Sequence, residues 1–145
     1  MSTNERTAVM TTPAERQGMT AEVGRAIASV AGEELRAGRL EAAREILQGL
    51  AITNPYDPAT WAMLAVVERR RGKLLAARVC AGTAHRLAPG DAHVRLVRAE
   101  VLLCDPADRP RAAEELRALV TTAGPVGARA RSLLRALGDA ACVHP

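Results

Sequence analysis

Apolar residues between positions 58 and 91 follow the spacing of one helix face, then, past a glycine, that of a second. Trp61, Leu64, Ala65 and Val67 or Glu68 stand at i, i+3, i+4 and i+7, the stripe of an amphipathic helix. Asp57 precedes it, placed so that its carboxylate accepts first-turn N–H groups, and Pro58 occupies the first helical position, where a missing N–H costs nothing. The run closes on Arg69, Arg70, Arg71 and Gly72. Cations there oppose the negative end of the helix dipole and the glycine suits a left-handed cap, which favours a solvated helix end over a phosphate site. Leu74, Ala77, Arg78, Ala81 and Ala84 carry the second helix, which stops before Pro89. The pattern predicts a helical hairpin.

The same unit stands immediately upstream. Residues 24–57 align without gaps on residues 58–91: Gly38 falls on Gly72, Leu40 on Leu74, Ala43 on Ala77, Pro55 on Pro89 and Asp57 on Asp91. Ile27, Val30 and Ala31 fall on Trp61, Leu64 and Ala65. Ala31, Ala43, Ala65, Ala77 and Ala84 occupy the places where helices of one unit, and of the next, must approach closely. A third copy spans 92–125. Its first helix carries Leu96, Ala99, Leu102 and Leu103, and it departs from the pattern at CDPADRPRA, where the turn glycine is missing and about two residues are inserted. Asp108 is expected to cap its second helix, with Ala112 or Ala113, Leu116, Leu119 and Val120 as the apolar side and Pro125 closing the unit. A final amphipathic helix over 126–138, with Ala130, Leu133, Leu134 and Leu137, is expected to cover the end of the stack. Residues 1–18 are expected to be disordered and 139–145 to form a flexible tail.

Composition narrows the function. With 145 residues the chain can form one domain. Phe is absent and Trp61 and Tyr56 are single, so the core relies on Ala, Leu and Val. Lys73 is the only lysine among twenty basic residues, and net charge is +4. The arginines alternate with acidic residues and no aromatics interleave them, so nucleic acid is not the expected partner. Cys80, Cys104 and Cys142 are odd in number and widely spaced, which suits a reducing compartment, not a disulfide framework. Cys80, His85 and His93 have no metal-site spacing, and no metal or cofactor is expected. Trp61 and Cys80 read as packed core residues. No nucleophile elbow, phosphate loop or HExxH occurs, so no enzyme is expected. No secretory leader and no apolar stretch of about 18 residues are present, which predicts a cytoplasmic protein without stable membrane insertion.

The period of 34 residues, Trp–Leu–Ala in the first helix, a Gly turn, Ala in the second and a closing Pro resemble the tetratricopeptide repeat. The fold class is therefore expected to be all-α: three such hairpins stacked as a short right-handed superhelix, with a C-terminal capping helix. The stretch GRLEAAREI…NPYDPATW is further similar to the translocator chaperones of bacterial type III secretion systems, a resemblance covering about residues 20–125. It implies a non-enzymatic cytoplasmic chaperone. In its concave groove it would hold an extended apolar segment of a secreted, pore-forming client until export, and it would form a homodimer through its N-terminal helical region. Repeat positions 2, 5, 9 and 12 would line that groove. They are Arg25, Ala28, Gly32 and Leu35 in the first unit, Ala59, Ala62, Val66 and Arg69 in the second, and His93, Leu96, Glu100 and Leu103 in the third, with Tyr56 beside them. Family grooves usually carry several tyrosines, whereas this one has only Tyr56. Three alternatives stay open: a chaperone of a needle subunit or export-apparatus accessory, a repeat adaptor gripping a carboxylate through Arg25 and Arg69, and a basic nucleic-acid binder.

Overall fold

The computed structural model describes residues 11–142, and side chains as far as residue 138. A single turn, α1 (Pro13–Arg16), precedes three hairpins: α2 (Ala21–Arg36) with α3 (Leu40–Thr53), α4 (Pro58–Arg70) with α5 (Leu74–Leu87), and α6 (Ala92–Leu102) with α7 (Arg109–Leu119). Then α8 (Pro125–Cys142) closes the stack. The described residues are all-helical, and the hairpins are those of the repeat.

The bends between paired helices are equivalent. Gly38 and Gly72 sit at φ 77° and 76°, a conformation that costs a side-chain-bearing residue about 1 kcal/mol or more. At each, the N–H one residue further on returns to the carbonyl five residues back, Arg39 to Glu34 and Lys73 to Glu68, both 2.9 Å. Helix starts are also as expected for α4 and α6: Asp57 accepts from the Ala59 N–H at 3.0 Å and Asp91 from the Val94 N–H at 3.0 Å.

Three apolar clusters follow one another along the stack. The first joins α2, α3 and α4 around Ala31, Ala43 and Leu47; the second joins α4, α5 and α6 around Ala65, Ala77, Ala84 and Val97. The third joins α6, α7 and α8 around Ala99, Leu116, Leu119 and Ala130. Trp61 packs on both of the first two and donates its ring N–H to the Pro55 carbonyl at 2.8 Å. The only tryptophan thus pins two repeats and the loop between them. Cys80 also touches both clusters, and burial, with the Glu68 charge behind it, pushes its thiol up to about 11. Among the described residues no three His, Cys, Asp or Glu side chains gather as metal ligands.

The first helices of successive units touch one another, α2 with α4, α4 with α6 and α6 with α8; the second helices α3, α5 and α7 make no comparable contact. Axes closer together on one side than on the other bend the stack, so α2, α4 and α6 line the inner face.

Four expectations need correction. Residues 13–16 were expected to be disordered but form α1. There Thr12 and Glu15 cap each other's backbone N–H (2.8 and 3.2 Å) and Ala14 is buried; residues 1–10 lie outside the described part. The C-terminal helix runs on to Cys142 in place of a tail from 139, and 143–145 lie outside the described part. Pro125 opens α8 and does not close the third unit, as Pro58 opens α4. Asp108 makes no cap: a short 3-10 turn (Pro106–Asp108) capped by Asp105 precedes α7, and Asp108 instead accepts from Arg78 of α5 at 2.6 Å. Ala112, not Ala113, is the fully buried residue of α7, so the third unit gains one residue overall.

Gly127 in the first turn of α8 has no room for a side chain: a Cβ there would run into the Thr122 carbonyl oxygen. Gly127→Ala is expected to destabilise the protein by about 1–3 kcal/mol, read as a lower midpoint in thermal unfolding followed by circular dichroism. In a Cys142→Ser background, Cys104, which is exposed, is expected to be alkylated first at about pH 8, and Cys80 to react quickly only as pH approaches its raised value or after unfolding. Mass spectrometry of the alkylated peptides reads the order.

Candidate functional site

Small side chains let the inner face form. In the second and third units the residue at repeat position 5 lies at a joint between helices and is correspondingly covered. Ala62 is 1% exposed and belongs to the α4–α5–α6 cluster, while Leu96 is buried beneath α8. Both were expected to line an open groove and instead form the joints of the stack. Leu103, half-buried, also packs on the third cluster.

Positions 2 and 9 are the ones that open inward. Arg25, Ala59 and His93 are exposed; Gly32, Val66 and Glu100 are half-buried, as are Ala28, Leu35 and Arg69. The site therefore divides into three stretches. At its N-terminal end a cleft of about 930 Å³ lies between α1, the start of α2 and the α3–α4 junction, and it brings Arg25, Ala28, Tyr56 and Ala59 together. Tyr56 is more than half exposed, its N–H bonded to the Asn54 side chain at 3.3 Å. The middle is narrow and apolar. A Cβ on Gly32 would stand 3.6 Å from the Met63 methyl and 3.6 Å from Arg36, ordinary contact distance, and Val66 follows on α4. The far end is charged: Glu100 accepts from Arg69 at 3.2 Å and from Arg129 of α8 at 2.7 Å, a bridge across α4, α6 and α8.

The arginines that end α4 are not merely solvated. Arg69 holds Glu100, Arg70 donates to the Leu35 carbonyl at 3.2 Å, and Arg71 holds both Glu41 and the buried Glu68, each at 2.7 Å. Arg69 is thus already neutralised, whereas Arg25 makes no ion pair among the described residues. Sequence reasoning missed two residues of the site. Met63 could have been found, since it stands one place after position 5 beside the next helix; Arg129 lies outside the repeat and carries no periodic signal.

No family model matches the chain, and no curated protein is similar to it in sequence. Solved structures are similar in fold. The type III secretion translocator chaperone SycD of Yersinia enterocolitica superposes with a TM-score of 0.74, at 20% identity, over 86% of this chain and 97% of that one. A type III secretion complex from Aeromonas hydrophila gives 0.73 at 17% identity, covering 92% of each chain. PcrH, solved in complex with the chaperone-binding region of PopD, gives 0.69 at 20% identity, over 84% of this chain and 96% of that one. This is the fold of the translocator chaperones. The shared length, 84–92% of this chain, exceeds the two regular repeats, so the likeness is not confined to them.

The Glu100 bridge makes a checkable claim. Glu100→Ala and Arg129→Ala are each expected to lower stability, and the double variant to lose less than their sum, with a coupling of about 0.5–1 kcal/mol. A double-mutant cycle in urea measures it.

Proposed function

We propose that this chain is a cytoplasmic chaperone of a type III secretion system, which holds an extended apolar segment of a secreted translocator along its inner face until export. The observation that carries the reading is the strip of small and apolar side chains from Ala28 through Gly32 to Val66, half-buried along the first helices α2 and α4. A strip so poor in bulk lets a client backbone lie close, and two or three apolar client side chains can drop between the first helices. Tyr56 at the open end can offer a hydroxyl, and the Arg69–Glu100–Arg129 bridge bounds the strip at the other.

The fold likeness supports the same conclusion. SycD has been solved with a peptide of the translocator YopD, and PcrH with a region of PopD. The chain then works by binding alone, without cofactor or catalysis, and pairs with a second copy through its N-terminal helices. The exposed Val23 and Val30 of α2 favour that surface. The carboxylate-gripping alternative loses one of its two cations, because Arg69 is held by Glu100.

Co-expression with the hydrophobic secreted proteins of the same system tests the proposal. A soluble one-to-one complex with one of them is the expected result, and failure to solubilise any would overturn it. Val66→Asp is expected to weaken that complex at least about tenfold, since it sets a charge against an apolar client, while the helical signal and melting temperature stay close to the unsubstituted protein. Ala62→Glu is expected instead to unfold the stack, because Ala62 is enclosed.

A further inference from the structure

A second concave feature lies on the opposite side of α4. Because α3 and α5 both rest on α4 without packing on each other, they leave a cleft of about 770 Å³ between them, floored by Trp61 and Leu64. Its three walls are graded in the same sense. Along α3 the lining residues run Arg44, Gln48, Ile52; along α5 they run Lys73, Ala76, Cys80; α4, antiparallel to both, contributes Arg71 and Glu68 beside the first members and Leu64 and Trp61 beside the last. One end is therefore basic and the other apolar. The apolar end is also bare: Ile52 is 73% exposed and Val79, one place round α5 from Cys80, is 58% exposed.

The basic end keeps a net positive charge, with the cations Arg44, Arg71 and Lys73 against the carboxylates of Glu68 and Glu41. Arg44 and Arg71 share Glu68, Arg71 also takes Glu41, and Lys73 makes no ion pair among the described residues. Here too α3 and α5 begin, on Arg39 and Lys73, which have no side-chain oxygen to cap the first N–H groups. Two uncapped helix starts add partial positive charge to the same end. From Arg44 to Ile52 the wall is about 12 Å long at 1.5 Å per residue, two turns of a facing helix.

We infer that this outer cleft is a docking site for an amphipathic helix of a partner protein, one bearing an apolar pair one turn apart and acidic residues in the adjoining turn. The apolar pair covers Ile52, Val79 and the Trp61 floor, and the acidic turn meets Lys73, Arg44 and the starts of α3 and α5. A helix fits better than an extended strand, because walls made of helices offer no row of free backbone groups to pair with. The site is separated from the inner face by α4 itself, so it does not depend on what the inner face holds.

Fluorescence anisotropy on the full chain tests this. The probe is a labelled 15-residue helical peptide with leucines at i and i+4 and three glutamates in the adjoining turn; a second peptide has lysines in place of the glutamates. The glutamate peptide is expected to bind saturably and at least tenfold more tightly than the lysine peptide. Ile52→Glu and Val79→Glu, both at exposed positions, are each expected to weaken it at least tenfold with the helical signal unchanged, and Val66→Asp to leave it as it was. The inference is overturned if the glutamate peptide does not bind, if both peptides bind alike, if neither cleft variant matters, or if Val66→Asp abolishes binding. It is equally overturned if sedimentation shows a dimer that Ile52→Glu dissociates, for then the occupant is a second copy of the chain.

Discussion

Alanine at the helix crossings is the constraint on which the rest of the structure depends. Ala31, Ala43, Ala65, Ala77 and Ala84 have no exposed surface at all, and they stand at the points where α2 meets α3, α4 meets α5, and one hairpin meets the next. In a chain without phenylalanine, stability comes from close axes and many small contacts more than from large side chains. The same smallness decides the curvature. First helices of successive units touch and second helices make no comparable contact, so the stack bends. One face becomes a strip of small residues and the other opens into clefts.

Polar groups set the order of the units on this apolar frame. Several ion pairs join residues about one repeat apart: Arg71 to Glu41, Arg69 and Arg129 to Glu100, and Arg78 to Asp108. Glu68, 6% exposed in the second unit, is held between Arg44 of the unit before and Arg71 at the end of its own helix. A buried carboxylate would be costly alone; between two guanidinium groups it ties α3 to α4 in a single register. This accounts for arginine supplying nearly all the positive charge, since its planar fork serves two acceptors at once, as Arg71 does.

Much of the fold was legible in the sequence because its signals are local. Gly38 and Gly72 mark bends that demand positive φ, Asp57 and Asp91 mark helix starts, and the 34-residue register carried those signs from one unit to the next. The third unit was less legible: with its glycine gone, two aspartates competed for one cap, and the answer turned on Arg78, thirty residues away. The site was the least legible part. Position within a repeat gives the direction of a side chain but not what the next helix lays over it. Ala62 and Leu96 are covered, by α6 and α8; Met63 takes part from one place beside position 5, and Arg129 from outside the repeat altogether.

Photo-crosslinking from defined positions puts the central claim to its most direct test. A benzoylphenylalanine at Ala59 or Gly32, on the inner face, is predicted to capture one short apolar segment of the co-expressed client, while the same group at Arg117 on the outer side of α7 captures none. Crosslinks from Arg117 with none from Ala59 or Gly32 would contradict the account, for the client would then lie on the outside of the stack.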